Sequence, residues 1–208
     1  MILSVEALTV ERGGRIVLSG LSFAVAAGEA LLVTGRNGAG KSTLLRVLAG
    51  LLPFQAGKIH LPGATEEVRA AETIHYLGYE DALKPSLSVR ENLEFWAAML
   101  GQGGGLSPRQ AFFSPHEALA AFGIARLLDL PAAYLSAGQK RRVALARLLL
   151  NPRPVWLLDE PLIALDLSAQ ETLASIMAAH VAGGGAIVAA SHAPLGLPAR
   201  VLDLGGQP

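Results

Sequence analysis

The feature that most constrains the fold is the segment GRNGAGKST, which fits the phosphate-binding pattern G-x-x-x-x-G-K-[ST] at every position. An apolar run at residues 30–34 precedes it and predicts a buried strand. Apolar residues at helical spacing follow it, from Leu44 to Leu48. The sequence therefore predicts a strand, a glycine-rich loop and a helix in that order. The loop residues are Gly35, Arg36, Asn37, Gly38, Ala39, Gly40, Lys41, Ser42 and Thr43.

This loop has the chemistry of a nucleoside triphosphate site. Glycines let its backbone turn tightly, so that N–H groups point at phosphate oxygens. The N-terminus of the following helix adds the positive end of its dipole. Lys41 supplies a cation for the β- and γ-phosphates, and Ser42 supplies a hydroxyl for Mg²⁺. The alternative is a glycine-rich turn without a ligand, but the complete spacing between a strand and a helix favours ATP.

Composition excludes several other classes of protein. The 208 residues carry 17 basic and 17 acidic side chains and no cysteine. Without a basic excess no nucleic-acid partner is indicated, and without cysteine there are no disulfides or thiolate sites. No apolar run reaches the ~18 residues of a membrane span, and the N-terminal residues lack the pattern of a secretory signal. We therefore expect one cytosolic domain.

Strand and helix patterns alternate along most of the chain. Residues 2–11 predict a strand that turns at Gly13 and Gly14 into two short antiparallel strands, at 15–18 and 21–25. Ser168 with Glu171 predicts the N-terminal cap of the helix that runs to about residue 181. We expect an α/β fold of the phosphate-loop NTPase type, with a mainly parallel core sheet, helices on both faces and an N-terminal antiparallel β-layer. Further strands are predicted at 58–61, 73–78, 154–158, 186–191 and 201–204.

Residues 80–134 have a different character and predict a small helical insertion. Helical spacing covers 89–100, and short helices are expected at 115–122 and 124–128. The segment GQGGG at 101–105 predicts a flexible loop. We expect a single domain over 1–208, divided into a core (about 1–79 and 151–208) and a helical subdomain (about 80–150).

Two carboxylates end an apolar strand in the segment VWLLDE. A phosphoryl-transfer site of this loop class needs an acidic residue there to hold hydrated Mg²⁺, and Asp159 fits that need. Glu160, the next residue, is the candidate general base for the water that attacks the γ-phosphorus. Strands also end in acidic residues simply because they reach solvent, but the phosphate-binding loop favours the functional interpretation.

The segment LSAGQ at 135–139 has two interpretations. Ser136 and Gln139 form an S-x-x-Q capping box, which starts many ordinary helices. The same geometry presents a hydroxyl and backbone N–H groups to an anion. The residues alone leave both interpretations open.

In this order, GRNGAGKST, LSAGQ, LLDE and the lone histidine after Ser191 resemble the ATP-binding cassette family over nearly the whole chain. The resemblance implies a head-to-tail homodimer that holds two ATP molecules, with Mg²⁺, at its interface. Each ATP would lie on Lys41 of one chain and against the signature segment of the other. Asp166 matches the loop that crosses the dimer interface, and His192 matches the switch histidine that contacts the γ-phosphate and helps to hold Glu160 and water. The signature residues in trans are Leu135, Ser136, Ala137, Gly138 and Gln139.

The chain departs from the family pattern at several positions. Tyr79 stands where the family usually has a glutamine that contacts Mg²⁺ and water. Arg12 stands where an aromatic residue usually stacks on adenine; its guanidinium can stack on the base instead, or it is a solvated hairpin residue. Ile163 replaces a small hydroxyl residue near the interface. We interpret the basic run at 140–142 as serving the helix and the dimer rather than nucleic acid.

Within the family, the segments LKPSLSVRENLEFW, LSAGQKRRVALARLLL and WLLDEPLIALD resemble the ATPases of haem exporters in cytochrome c maturation. The resemblance implies a peripheral subunit on the cytoplasmic face of the inner membrane. A permease subunit would dock a short helix between residues 79–88 and the inserted helices, near Phe95 and Trp96, of which at least one is expected to pack in the core. The alternatives are the ATPase of a lipid, drug or lipoprotein exporter, a non-transport ATPase acting on DNA or ribosomes, and a binding module without turnover.

Overall fold

The computed structural model describes residues 2–61, 73–101 and 113–205. Most of the predicted loop at 101–105 therefore lies outside the described residues. In the described ranges, no helix combines the length and the apolar character needed to cross a membrane. The strands are β1 (Leu3–Arg12), β2 (Arg15–Val25), β3 (Ala30–Thr34), β4 (Ala56–His60), β5 (Ile74–Leu77), β6 (Val155–Asp159), β7 (Ala186–Ala190) and β8 (Arg200–Asp203). The helices are α1 (Lys41–Leu48), α2 (Val89–Gly101), α3 (Pro115–Ala121), α4 (Ala137–Leu150) and α5 (Leu167–Ala182), with short 3₁₀ turns at Ala125–Leu127 and Ala132–Tyr134.

A parallel sheet forms the centre of the molecule. Its strand order is β5-β6-β7-β3-β8, and every described pairing within it is parallel. The residues of β6 and β7 are buried along their whole length, as expected for strands covered on both faces. The predicted α/β fold with a parallel core sheet is confirmed.

The N-terminal strands form a second, antiparallel sheet with β1 between β2 and β4. The prediction of two short strands after the turn at Gly13 and Gly14 is wrong, because β2 is continuous. Gly20 adopts φ +60° in the middle of β2, and its N–H donates to Thr9 Oγ1 at 3.1 Å. This irregularity absorbs a shift of register with β1 and lets pairing resume at Leu21.

Alternating residues of the central strands enter two different apolar clusters. Trp156 and Leu158 pack with the cluster formed by α2, α3, α4 and α5. Val155 and Leu157 pack with α1 and the antiparallel sheet on the opposite face. The alternation follows from the two-residue period of a strand. Helices lie on both faces of the parallel sheet, as predicted. One of these faces is covered by α1 together with the antiparallel sheet.

The cap of α5 differs from the prediction. Asp166, not Ser168, is the N-cap, and its Oδ1 accepts a hydrogen bond from the N–H of Ala169 at 2.9 Å. Ser168 lies inside the first turn, where its carbonyl accepts from the Thr172 hydroxyl. Aspartate caps as well as serine, and its charge also suits the positive end of the helix dipole. The predicted division into core and helical subdomain stays a prediction.

Candidate nucleotide-binding site

Three neighbouring parallel strands bring the predicted site residues to one edge of the sheet. β6 ends at Asp159, with Glu160 next; β7 is followed by Ser191 and His192; β3 leads into the glycine-rich loop. Because the strands are parallel, their carboxyl ends meet at the same edge, where ligands of open α/β sheets bind. β5 lies beside β6 and adds Tyr79 from its own carboxyl end.

The glycine-rich loop packs closely against side chains of β2. Gly40 is the N-cap of α1 and has φ +95°. A Cβ atom built there would lie 2.8 Å from Val17 Cγ1, so the position accepts only glycine. No side chain caps this helix. The first N–H groups of a helix have no partner within it, so the start of α1 presents donors to an anion.

Lys41 lies within this loop and not in open solvent. Only 8% of the residue is exposed. Its Nζ donates to Gly35 O at 2.8 Å and to Arg36 O at 3.3 Å, and lies 3.3 Å from His192 Nε2. The loop carbonyls thus hold the ammonium group beside the end of β7, next to the start of α1.

Ser42 and Asp159, 117 residues apart in the chain, are in direct contact. The Ser42 hydroxyl donates to Asp159 Oδ1 at 3.0 Å. Asp159 is 1% exposed, and its Oδ2 has no hydrogen-bond partner among the described residues. A buried carboxylate oxygen without a partner, beside a hydroxyl, is the donor set that Mg²⁺ prefers. The described residues contain no group of three or more histidine, cysteine, aspartate or glutamate side chains that could hold a metal ion.

Glu160 has an uncommon backbone conformation for a residue with a side chain. Its φ is +48°, in the left-handed region, and its N–H donates to Ala190 O at 2.9 Å. Its Oε1 lies 3.6 Å from His192 Nε2. Such a conformation costs about 1–3 kcal/mol and persists only where the surrounding structure holds it. The strained backbone aims the candidate base toward the histidine and the loop.

A cavity of about 550 Å³ joins these groups. Arg12 and Tyr79, two of the departures from the family pattern, both line it. Arg46 of α1 lines it as well; a hydrogen bond to Tyr76 raises the pKa of Arg46, and burial raises the pKa of Tyr76. The other lining residues are Val17, Asn37, Gly38, Gly40, Lys41, Ser42, Thr43, Asp159, Glu160 and His192.

The signature segment lies elsewhere, at the start of α4. Ser136 Oγ accepts from the N–H of Gln139 at 3.3 Å, and Gln139 Oε1 accepts from the N–H of Ser136 at 2.9 Å. The capping box is therefore present, and Ser136 is exposed. None of the residues 135–139, all of which the structure describes, lines the cavity around Lys41.

The loop before α5 packs directly on the signature segment. A Cβ atom at Gly138 would lie 2.8 Å from the carbonyl oxygen of Ala164, so the two backbones touch there. Asp166, which caps α5, also forms an ion pair with Arg142 at 2.8 Å. The loop that leads to Asp166 and the start of α4 thus lie against each other.

Sequence reasoning missed Arg141. It is 1% exposed and its guanidinium bonds the backbone beside Asp159 and Tyr79. The interpretation of the basic run as serving helix and dimer is wrong for this residue, because it points inward. Helical spacing was the available signal: Arg141 lies on the same face as Leu145 and Leu148, which are buried.

Trp96 and Phe95 differ in exposure, and neither belongs to the two apolar clusters. Trp96 is half-buried: its Nε1 donates to Ala82 O at 3.2 Å, and the Arg147 guanidinium lies 4.3 Å above its ring. Phe95 contacts the edge of Trp96 but remains 59% exposed.

Comparisons with known proteins agree with this geometry. A family model described as "ABC transporter" matches residues 18–163. The cytochrome c biogenesis ATP-binding export protein CcmA of Nitrobacter winogradskyi is 54% identical over 206 residues, 99% of each chain. A solved ATP-binding subunit of an ABC transporter superposes with a TM-score of 0.78 at 28% identity, over 92% of this chain and 80% of that one. An ABC transporter ATP-binding protein from Pyrococcus furiosus (TM-score 0.79, 24% identity, 97% of this chain and 96% of that one) shares the fold.

Proposed function

The chain belongs to the ABC transporter family, and from this premise we propose that it is the ATP-hydrolysing subunit of an exporter that serves cytochrome c biogenesis. The name and near full-length coverage of the Nitrobacter winogradskyi relative support that assignment over a lipid, drug or lipoprotein exporter. One observation carries the ATPase activity: Ser42 of the loop meets Asp159 across the sheet, with Glu160 and His192 beside Lys41.

Each residue of the site has a different role in the proposed reaction. Backbone N–H groups at the start of α1, together with Lys41, bind the phosphates. Glu160 accepts a proton from the water that attacks the γ-phosphorus, which yields ADP and inorganic phosphate. His192 lies between Lys41 and Glu160 and can contact both the γ-phosphate and the base.

Ser42 and Asp159 would hold Mg²⁺ against the phosphates. The ion would supply positive charge that neutralises the β- and γ-oxygens. The partnerless, buried Asp159 Oδ2 is the observation that supports it. Arg12, on the wall of the same cavity, would stack on the adenine ring.

A homodimer would complete the site. Among the described helix starts, those at Lys41 and at Ser136 carry the family motifs, and only the first lines the cavity. In a head-to-tail pair, Ser136, Gly138 and Gln139 of one copy would face the phosphates held by the other. The contact between Gly138 and Ala164 would keep the loop that leads to Asp166 at the same interface.

A membrane-embedded permease would dock beside α2. Phe95 and Met99, four residues apart and therefore on one helical face, are both more than half exposed. Tyr79, at the mouth of the nucleotide cavity, is exposed as well. This placement suits a subunit on the cytoplasmic face of the inner membrane whose ATP-dependent movement reaches the permease.

The test of the proposed function is Glu160→Gln. The substitution keeps the size of the side chain and removes the proton acceptor, so steady-state ATP hydrolysis should fall by about 10²–10⁴-fold. Binding of ATP, measured with a fluorescent analogue, should be unchanged. Glu6→Gln, at an exposed position of β1, is the matched control and should hydrolyse ATP at the wild-type rate. Near wild-type turnover in Glu160→Gln would remove Glu160 as the base.

A further inference from the structure

Arg141 is a fully buried arginine at the junction of two strand ends. It extends from the second turn of α4, the helix that begins at the signature segment, and is 1% exposed. One terminal nitrogen, NH1, donates to Gly78 O at 3.1 Å and lies 3.4 Å from Tyr79 O and 3.2 Å from Asp81 Oδ1. These three acceptors belong to the segment that follows β5.

The other terminal nitrogen serves the neighbouring strand. NH2 donates to Asp159 O at 2.9 Å and to Glu160 O at 2.7 Å. Since β5 and β6 are paired in parallel, one guanidinium bridges their carboxyl ends. The planar fork of arginine can do this, whereas the point charge of a lysine cannot reach both sets of acceptors.

The acceptors indicate what the bridge is for. Four of the five are backbone carbonyls, so the guanidinium fixes the positions of peptide planes more than it neutralises charge. Two of those planes carry the proposed metal ligand and the proposed base. Glu160 is held at its N–H by Ala190 O and at its carbonyl by Arg141, and these two bonds flank its left-handed φ of +48°.

We propose that Arg141 is a positioning residue for ATP hydrolysis: its guanidinium fixes the backbone of Glu160 and links it to the loop that carries Tyr79. A displacement of that loop reaches the base through a single side chain. The inference rests on the proposed function, in which Glu160 accepts the proton of the attacking water.

A buried arginine on the same helix provides the contrast. Arg147 is 5% exposed, its Nε donates to Ala144 O of its own helix, and its guanidinium lies over Trp96. It has no described hydrogen bond to either strand end. Loss of Arg147 therefore measures what a buried arginine of α4 contributes to stability alone.

The experiment compares Arg141→Gln, Arg141→Lys and Arg147→Gln in the full-length chain. For each variant, kcat, KM for MgATP, the dissociation constant of a fluorescent ATP analogue and the thermal unfolding midpoint are measured. Arg141→Gln should lower kcat by about 10²-fold, because a misplacement of catalytic groups by ~1 Å has an effect of that size. Its affinity for the ATP analogue should stay within about twofold of wild type, since the bridge does not touch the phosphate-binding loop.

The two other variants separate positioning from folding. Arg141→Lys keeps the buried charge but reaches only one strand end, so kcat should still fall by about tenfold. Arg147→Gln should also lower the unfolding midpoint, because it too removes a buried guanidinium, while kcat stays within about threefold of wild type. If Arg141→Gln does not fold, Arg141→Lys carries the test by itself.

Two results would overturn the role of Arg141. One is an Arg141→Lys variant whose kcat lies within about twofold of wild type. The other is an equal loss of kcat in Arg141→Gln and Arg147→Gln, which would make both residues merely structural. If instead Glu160→Gln turned over ATP like wild type, the proposed base would fail and the positioning role would fall with it, so the two failures are distinguishable.

Discussion

The phosphate-binding loop and the signature segment are both starts of helices, yet they are built differently. α1 begins at a glycine without a side-chain cap, and α4 begins at a closed capping box of Ser136 and Gln139. Lys41 is buried and Ser42 contacts Asp159, whereas Ser136 is exposed and lies outside the nucleotide cavity.

The difference agrees with the proposed head-to-tail pair, in which one site would be assembled within the chain and the other would meet a second copy. At the loop, Asp159 of β6 already contacts Ser42, and His192, which follows β7, already contacts Lys41. At the signature segment, the described contacts only support the turn itself. Ala164, for example, packs against Gly138. The first region should therefore act in binding, and the second only in assembly and turnover.

The sharpest test of this difference mixes two inactive variants. Lys41→Ala removes the phosphate cation, and Ser136→Asp keeps a good helix cap but places a negative charge where the γ-phosphate would arrive. Each variant alone should show almost no ATP hydrolysis. In a symmetric pair each mixed dimer has one intact site, so an equal mixture should recover about a quarter of the wild-type rate per chain.

The matched control uses another described capping box. Ser114 and Glu117 start α3 with the same pair of hydrogen bonds, away from the nucleotide cavity. Ser114→Asp should hydrolyse ATP at the wild-type rate, because it changes the same kind of cap without facing a phosphate. A mixture of Lys41→Ala and Ser136→Asp that stays inactive would contradict the shared site.

A second prediction concerns the hydrolysis-deficient variant Glu160→Gln. With MgATP it should form dimers, because bound ATP adds contacts between the copies that the free chains lack. The dimer dissociation constant, measured by light scattering over a range of concentrations, should fall by at least about tenfold on addition of MgATP. In the double variant Glu160→Gln, Ser136→Asp, MgATP should no longer lower the dimer dissociation constant. Monomers alone at high protein and nucleotide concentrations would count against the head-to-tail pair.

The smallest expected effect belongs to Arg12, at the edge of the loop region. A cation–π contact at an exposed site contributes about 0.5–1 kcal/mol, so Arg12→Ala should weaken ATP binding about two- to fivefold. Arg12→Tyr should preserve the affinity, because a tyrosine ring also stacks on adenine. Titration with a fluorescent nucleotide measures all three forms, and equal affinities would make Arg12 a solvated hairpin residue.

Features that depend on local sequence pattern and on motifs could be predicted from the sequence. The strand before the loop, the helix after it, the parallel sheet and the capping box at Ser136 are all present as predicted. The meeting of Ser42 with Asp159 follows from the same information, because both motifs lie at carboxyl ends of parallel strands.

Features that depend on tertiary contacts could not be predicted from the sequence pattern. Two residues, Ser168 and Asp166, were both able to cap α5, and only the path of the preceding loop decides between them. Helical spacing places Arg141 on the buried face of α4, but the backbone carbonyls that its guanidinium meets belong to distant segments of the chain, which no local pattern indicates. The continuity of β2 depends on Gly20 and its bond to Thr9, which no local rule indicates.

The closed capping box has a consequence for how fast two copies can engage. A serine hydroxyl accepts through its lone pairs and has one hydrogen to donate. In α4 the oxygen of Ser136 accepts from the backbone of Gln139, so its hydrogen can still be directed outward. The turn is preorganised: in the proposed pair, an incoming phosphate would find a donor already in place, and no helix would have to reform around it. An aspartate would serve the helix equally well but has no such hydrogen, so the proposed recognition of phosphate, and not folding, would require a hydroxyl here.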